Sequence, residues 1–320
     1  MTPVSPSAFA QARERVAKHA HRTPMLTSAT LNRRSGFDVG LKAEMFQRTG
    51  SYKFRGPLNK LLQLTEEERA RGIICSSAGN HAQGVALAAA IYGVPAVVVM
   101  AENATPSKVE ATRAYGAEVV LAGTMWDEAN DVARELAAER GLTPVHPFDD
   151  LDLIAGQGTV GLEITEDFPE LDVVVVPIGG GGLISGVALA VKQESPQTRV
   201  VGVESSGAPA MQQSVRAGRV VPLESVDSVI DGLKVKRVGN TTFSIVRDHV
   251  DDIVTLPDRE MFDAVVWMLH HCKVLVEGAA AAPVAALLAG LVDAPTGARV
   301  ACVLSGGNVN LDRLRQLTWN

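Results

Sequence analysis

The sequence predicts an α/β protein built from two doubly wound, open parallel-sheet domains with a cleft between them. Three observations carry that expectation. Short, fully apolar runs rich in β-branched residues recur along the chain, and a longer helical pattern separates each from the next. A stretch rich in Pro, Asp and Gly, LTPVHPFDDLDLIAGQG at 142–158, has no sustained period and divides the series in two.

The first series begins with an apolar strand ending near Cys75, followed by a helix, HAQGVALAAAIYG, that stops at Gly93 with Pro95 just beyond. Strand AVVVMA (96–101) comes next. Thr105 is the N-cap of the following helix, with Pro106 in its first turn and Gly116 just past its end, and strand EVVLA (118–122) completes a β-α-β-α-β unit. The second series runs through VVVVPI (173–178), a helix from Leu183, RVVGVE (199–204) and RVACVLS (299–305). Ligands of open α/β sheets bind beyond the carboxyl ends of the strands. SSAGN, GGGG and SGGN each directly follow an apolar strand and so belong on such an edge.

Composition narrows the function. The chain has 320 residues, 46% of them hydrophobic, enough for a large buried core. Thirty Lys and Arg against 36 Asp and Glu give a formal charge of −6, and no basic run or stripe suited to a polyanion occurs, which argues against nucleic acid as a partner. Cys75, Cys272 and Cys302 are scattered, without the spacing of a zinc site or a disulfide framework, so a reducing, cytoplasmic setting is expected. The N-terminus lacks the pattern of a signal peptide, and no stretch reaches the roughly 18 apolar residues of a membrane span.

Four local motifs carry chemistry. In VVVVPIGGGGLISGVALAV a strand ends in Gly179, Gly180, Gly181 and Gly182 and a helix begins at Leu183, which reads as a cup of backbone N–H groups for a phosphate. A dinucleotide site would use Glu204 on the ribose, but its glycine register needs a glycine at Ser185 and finds Gly186 one place late; no Walker lysine follows. SSAGNHAQG offers Ser76, Ser77, Asn80 and His81 at a helix mouth, a receptor for a carboxylate. LSGGNVNLDRL, from 304, ends a strand with Ser305 and two glycines. In QRTGSYKFRGPLNKL, Lys53 follows Thr49, Gly50, Ser51 and Tyr52, and taken alone it reads as a surface charge.

Ser-Tyr-Lys53-Phe-Arg-Gly, Ser-Ala-Gly-Asn80-His, Pro-Ile-Gly-Gly-Gly-Gly-Leu and Ser305-Gly-Gly-Asn, in that order, resemble the fold type II pyridoxal-phosphate enzymes, the tryptophan synthase β-like fold. The resemblance runs from HRTPML at 21 to SGGN at 308 and narrows to the short threonine and serine dehydratases and the serine racemase-like group. It implies a large cofactor-binding domain of 1–47 and 149–320 and a small domain of 48–148 bearing the substrate loop, with pyridoxal 5'-phosphate in the cleft. It also implies residue roles. Lys53 holds the cofactor aldehyde as a Schiff base and then removes the substrate α-proton; Tyr52 packs beside the cofactor. Asn80 bonds the ring phenolate, Gly179 to Gly182 with Leu183 hold the phosphate, Ser305 faces the pyridine nitrogen and Glu277 places an acid near the ring. Ser77, Gly79, Asn80 and His81 receive the substrate carboxylate.

The reaction implied is β-elimination from a small β-hydroxy amino acid: L-threonine to 2-oxobutanoate and ammonia, and L-serine to pyruvate. A neutral Ser305 leaves the pyridine nitrogen unprotonated, which favours expelling the β-hydroxyl. Dehydratases of 3-hydroxyaspartate or phenylserine, a serine racemase, a cysteine synthase-type β-replacement enzyme and a non-catalytic pyridoxal-phosphate binder are the alternatives. Related racemases carry a second base, a serine, where this chain has Ala78, and bind a cation through an acid six places after the position of Glu204, where this chain has Ala210, so no metal is expected. The resemblance implies a homodimer or higher homo-oligomer and, because the chain stops soon after its last motif, no regulatory domain. His270 and His271 at a helix end, Cys75, Trp126 and Trp267 read as structural.

Overall fold

The structure, a computed structural model, describes residues 3–309. The end of the LSGGNVNLDRL stretch, from 310, lies outside the described residues. Strands in chain order are β1 (Met25–Thr27), β2 (Asp38–Ala43), β3 (Ile73–Ser76), β4 (Ala96–Met100), β5 (Glu118–Leu121), β6 (Thr143–Pro144), β7 (Val173–Pro177), β8 (Arg199–Ser205), β9 (Asp252–Leu256) and β10 (Arg299–Leu304). They form two sheets. One has the order β1-β2-β10-β7-β8-β9, parallel except for β1, and the other the order β5-β4-β3-β6, parallel throughout. The smaller sheet draws all its strands from 73–144; strands before and after that segment build the larger one.

Most of the apolar runs become strands because helices cover both faces; the run at β5, a sheet edge, keeps all its residues at least partly exposed. Every residue of β4 and of β7 is buried. β1, β2, β6 and β9 lie outside the expected series. β2 carries Lys42 in the interior, where its ammonium meets Glu163 at 2.7 Å and the Thr23 carbonyl at 2.7 Å, so a charge interrupts its apolar pattern. β9 is an edge strand whose first four residues keep some exposure. Trp126, expected to pack, is 45% exposed at the start of its helix and donates from Nε1 to the Ser76 carbonyl at 3.1 Å. Thr105 and Pro106 open their helix as expected, although the Thr105 side chain makes no cap hydrogen bond.

Two features aim the chain at the site. The helix Asn80–Tyr92 lies against the Lys53 backbone, and a Cβ on Gly84 would come within 2.3 Å of the Lys53 carbonyl oxygen, so only glycine permits that approach. Two residues after Lys53, fully buried Arg55 forks between Glu44 (Nη2 to Oε1, 2.7 Å) and Glu163 (Nη1 to Oε1, 2.6 Å). Glu44 follows β2 and Glu163 lies on the helix Leu151–Asp167. The lysine segment is thereby clamped to the large-sheet side.

Candidate active site

Four loops converge at the carboxyl edges of the two sheets. The lysine segment, a pair of short 3-10 turns, is tied to the end of β10: Ser51 bridges Gly306, Tyr52 N–H donates to the Ser305 carbonyl at 3.1 Å, and Gly307 N–H donates to the Gly50 carbonyl at 2.9 Å. Glu277 N–H donates to the Gly306 carbonyl at 3.1 Å, which ties the start of the helix Gly278–Leu288 to the same strand end. Thr49 holds a left-handed φ of 64°, unusual for a β-branched residue, and Asn308 donates to its carbonyl at 2.7 Å.

Lys53 Nζ donates to the Pro147 carbonyl at 2.7 Å and lies 5.3 Å from the centre of the Tyr52 ring. Removal from water pushes its ammonium down to about 8, with Glu277 pulling the other way. The same desolvation raises the Tyr52 phenol. Lys53 is therefore not the surface charge that its sequence context alone suggests.

The SSAGNH loop divides its groups differently from the expectation. Ser77 Oγ accepts from Gly79 N–H at 3.2 Å, and space beside the Gly79 α-carbon is open. Asn80, the first helical residue, gives Nδ2 to both Glu277 oxygens at 2.9 and 3.1 Å and receives Asn308 Nδ2 on Oδ1 at 2.8 Å. The His81 imidazole is buried with Nε2 on the Val145 carbonyl at 3.0 Å, and desolvation followed by the Lys53 charge pushes it down to about 3. Neutral His81 thus faces the inter-sheet crossing, and the helix mouth is left to Ser77 and first-turn N–H groups. Ser76 Oγ is buried at the strand end without a partner.

Gly179 to Gly182 form a cradle in which side chains have no room. A Cβ on Gly179 would meet the Gly232 carbonyl oxygen at 2.3 Å, one on Gly180 the Phe148 ring at 2.1 Å, and one on Gly182 the Phe148 α-carbon at 2.9 Å; Gly181 has φ 94°. The helix Gly182–Glu194 starts there, with Leu183 buried in its first turn. Glu277, at the N-cap of the helix Gly278–Leu288, is raised to about 7, first by desolvation, which the Asn80 hydrogen bond opposes. Ser305 is buried at the end of β10. Glu204 is occupied elsewhere: its two oxygens accept Met211 and Gln212 N–H at 2.8 Å each, capping the helix Ala210–Ala217. Among the described residues no group of three or more His, Cys, Asp or Glu could hold a metal ion.

The lysine, the glycine cradle and the helix mouth suit one phosphorylated aldehyde. A buried amine of lowered basicity and backbone N–H groups at a helix start are what such a group needs, and Ser51 Oγ, two residues before Lys53, is buried without a partner. The family profile described as pyridoxal-phosphate dependent enzyme matches residues 16–306. The chain belongs to this family of pyridoxal-phosphate dependent enzymes. It is 46% identical to the L-threonine ammonia-lyase of Thermotoga maritima over 93% of this chain and 74% of that protein. It is 42% identical to the catabolic L-threonine dehydratase of Escherichia coli K12 over 99% and 96%. The structure of maize serine racemase superposes with a TM-score of 0.94 at 36% identity, covering 98% of this chain and 96% of that one. That superposition covers nearly the whole of the two-sheet fold described above.

Arg55, His146, Pro147 and Phe148 also serve the site, and no local motif marks what they do. All four lie in stretches already singled out, but Arg55, Pro147 and Phe148 take their parts from partners far along the chain, Glu163, Lys53 and Gly180, while His146 acts on the turn it begins.

Proposed function

We propose that this pyridoxal-phosphate enzyme catalyses the β-elimination of L-threonine to 2-oxobutanoate and ammonia, and of L-serine to pyruvate. The observation that carries the reading is Lys53: a buried amine of lowered basicity, fixed where the loops of both sheets meet. The names of the Thermotoga and Escherichia relatives support threonine as the substrate. Ala78 speaks against racemisation, which the likeness to maize serine racemase would otherwise favour, because it offers no hydroxyl for a second base.

In this reading Lys53 holds the cofactor aldehyde, Gly179 to Gly182 and Leu183 its phosphate, Asn80 its phenolic oxygen and Ser305 its ring nitrogen, with Tyr52 and Glu277 alongside. Bound pyridoxal phosphate supplies an electron sink for the pair left on the substrate α-carbon. The Lys53 amine, near 8, takes the α-proton at neutral pH more readily than an ordinary lysine. Ser77, Gly79 and the first-turn N–H groups of Asn80 and His81 orient the substrate carboxylate. His81 itself stays neutral and does not compete for that carboxylate. Loss of the α-proton and β-hydroxyl, followed by uptake of one water, leaves 2-oxobutanoate and ammonia. The small and large parts divide at about residues 48 and 148, and the enzyme acts as a homo-oligomer.

The test is the absorbance spectrum of the purified protein during addition of L-threonine, L-serine and D-serine, with 2-oxo acid measured in the same cuvettes. A cofactor band with 2-oxobutanoate from L-threonine is expected. A band with no oxo acid from any of the three would sink the reading.

A further inference from the structure

Between β6 and the helix Leu151–Asp167 the chain makes a turn at 145–150 that the proposed reaction does not use. His146 stands at its start. Its Nδ1 accepts the backbone N–H of Phe148 at 3.2 Å and of Asp149 at 2.8 Å, and its ring packs edge-on against the Phe148 ring with centroids 4.6 Å apart. An imidazole nitrogen accepts N–H groups only while it carries no proton, so this turn requires the proton on Nε2.

The turn so held reaches the site in two places. The Pro147 carbonyl accepts Lys53 Nζ at 2.7 Å, and the Phe148 ring lies against Gly180 in the glycine cradle. A third contact anchors it from outside: the Asp149 carboxylate accepts the N–H groups of Asn240, Thr241 and Thr242, capping the helix Asn240–His249. The contacts therefore run without a break from the imidazole to the amine.

We propose that His146 is a positioning residue for Lys53: its proton-free Nδ1 holds the turn that aims the Pro147 carbonyl at Nζ, and a proton on Nδ1 releases it. The proposal rests on Lys53 being the reactive amine. Charges face the imidazole from several elements. Asp149 and Asp150, on its own turn, favour a second proton; Lys53, from the 3-10 turn, and Arg134, from the helix Trp126–Arg140, oppose it. His81, from the helix Asn80–Tyr92, is neutral. Desolvation is the largest influence and leaves His146 below the ordinary imidazole range, so the turn is intact at neutral pH and opens on acidification.

The test follows the titration of Lys53 in the full-length chain freed of cofactor, comparing wild type, His146→Ala and His146→Asn. Acetic anhydride acylates only the free amine, and the acetylated Lys53 peptide is counted by mass spectrometry across pH. His146→Ala is expected to lower the Lys53 midpoint by roughly one pH unit, because the ammonium loses an oriented acceptor. His146→Asn, whose side-chain carbonyl replaces Nδ1 as acceptor, is expected to restore the wild-type midpoint. Imidazole 15N shifts of the wild type at neutral pH are expected to show a proton on Nε2 and none on Nδ1. An Nδ1 proton there overturns the proposal, as does one shared Lys53 midpoint for wild type and His146→Ala with matching circular dichroism. If the alanine variant does not fold, an asparagine variant displaced by that full unit overturns it too. Failure of the threonine reading shows up separately, as no 2-oxobutanoate from an enzyme whose Lys53 titrates as expected.

Discussion

Asn80 and Glu277, 197 residues apart in sequence, share a two-pronged contact in which one amide nitrogen donates to both carboxylate oxygens. The contact joins the first turn of a small-sheet helix to the N-cap of a large-sheet helix. Glu277 is raised in the folded state from 4.5 to about 7. Its contribution to stability is thus fully present below the unfolded value near 4.5 and is lost as pH rises through about 7. Glu277→Gln keeps an acceptor for Asn80 and removes the charge. Urea midpoints measured at pH 5 and pH 8 are expected to fall for wild type over that interval and to fall less for the variant; parallel curves would refute the assignment.

Removing the Lys53 amine tests the chemistry directly. Lys53→Ala is expected to lower 2-oxo acid formation by at least roughly 10²- to 10⁴-fold, the usual contribution of a positioned base, and to abolish the cofactor absorbance band. A variant that keeps both the band and the rate would remove Lys53 from the reaction.

The glycine cradle offers a test with an internal control. Gly180→Ala meets a side chain, the Phe148 ring, whereas Gly179→Ala meets the backbone carbonyl of Gly232. Cofactor retention after gel filtration should be lost in both. Phe148→Ala added to Gly180→Ala should recover part of it, and the same change added to Gly179→Ala should recover none.

Arg55 is fully buried between Glu44 and Glu163, and both carboxylates depend on it. Arg55→Met leaves them without that partner, which costs roughly 3–5 kcal/mol when an ion pair is broken in an interior. A urea midpoint unchanged from wild type would show that Lys42 alone suffices for Glu163.

Much of the sheet framework is legible in the sequence because parallel strands covered on both faces read as unbroken apolar runs, as β4 and β7 do. β2 escapes that reading because Lys42 sits inside it, neutralised by Glu163 from a helix far along the chain. The glycine cup, the helix mouth and Lys53 are local motifs and can be quoted as strings. What each side chain faces is not local. His81 looks like a donor at the mouth until Val145, 64 residues on, takes its Nε2. Lys53 looks exposed until Pro147, 94 residues on, takes its Nζ.

The position of β10 has a consequence for how the molecule comes into being. Among the described residues it is the last strand in sequence, yet it inserts between β2 and β7, pairing Arg299 with Asp38 and Val300 with Val173. As the chain leaves the ribosome, the small sheet, drawn from one contiguous segment, has all its strands long before the large one can close. Until β10 arrives, β2 and β7 have an empty lane between them, Ser51 has no Gly306 to bridge, and Ser305 is not in place. The lysine segment thus emerges about 250 residues before the strand end at Ser305 and Gly306 that holds it, and a chain released before β10 carries the lysine without that support.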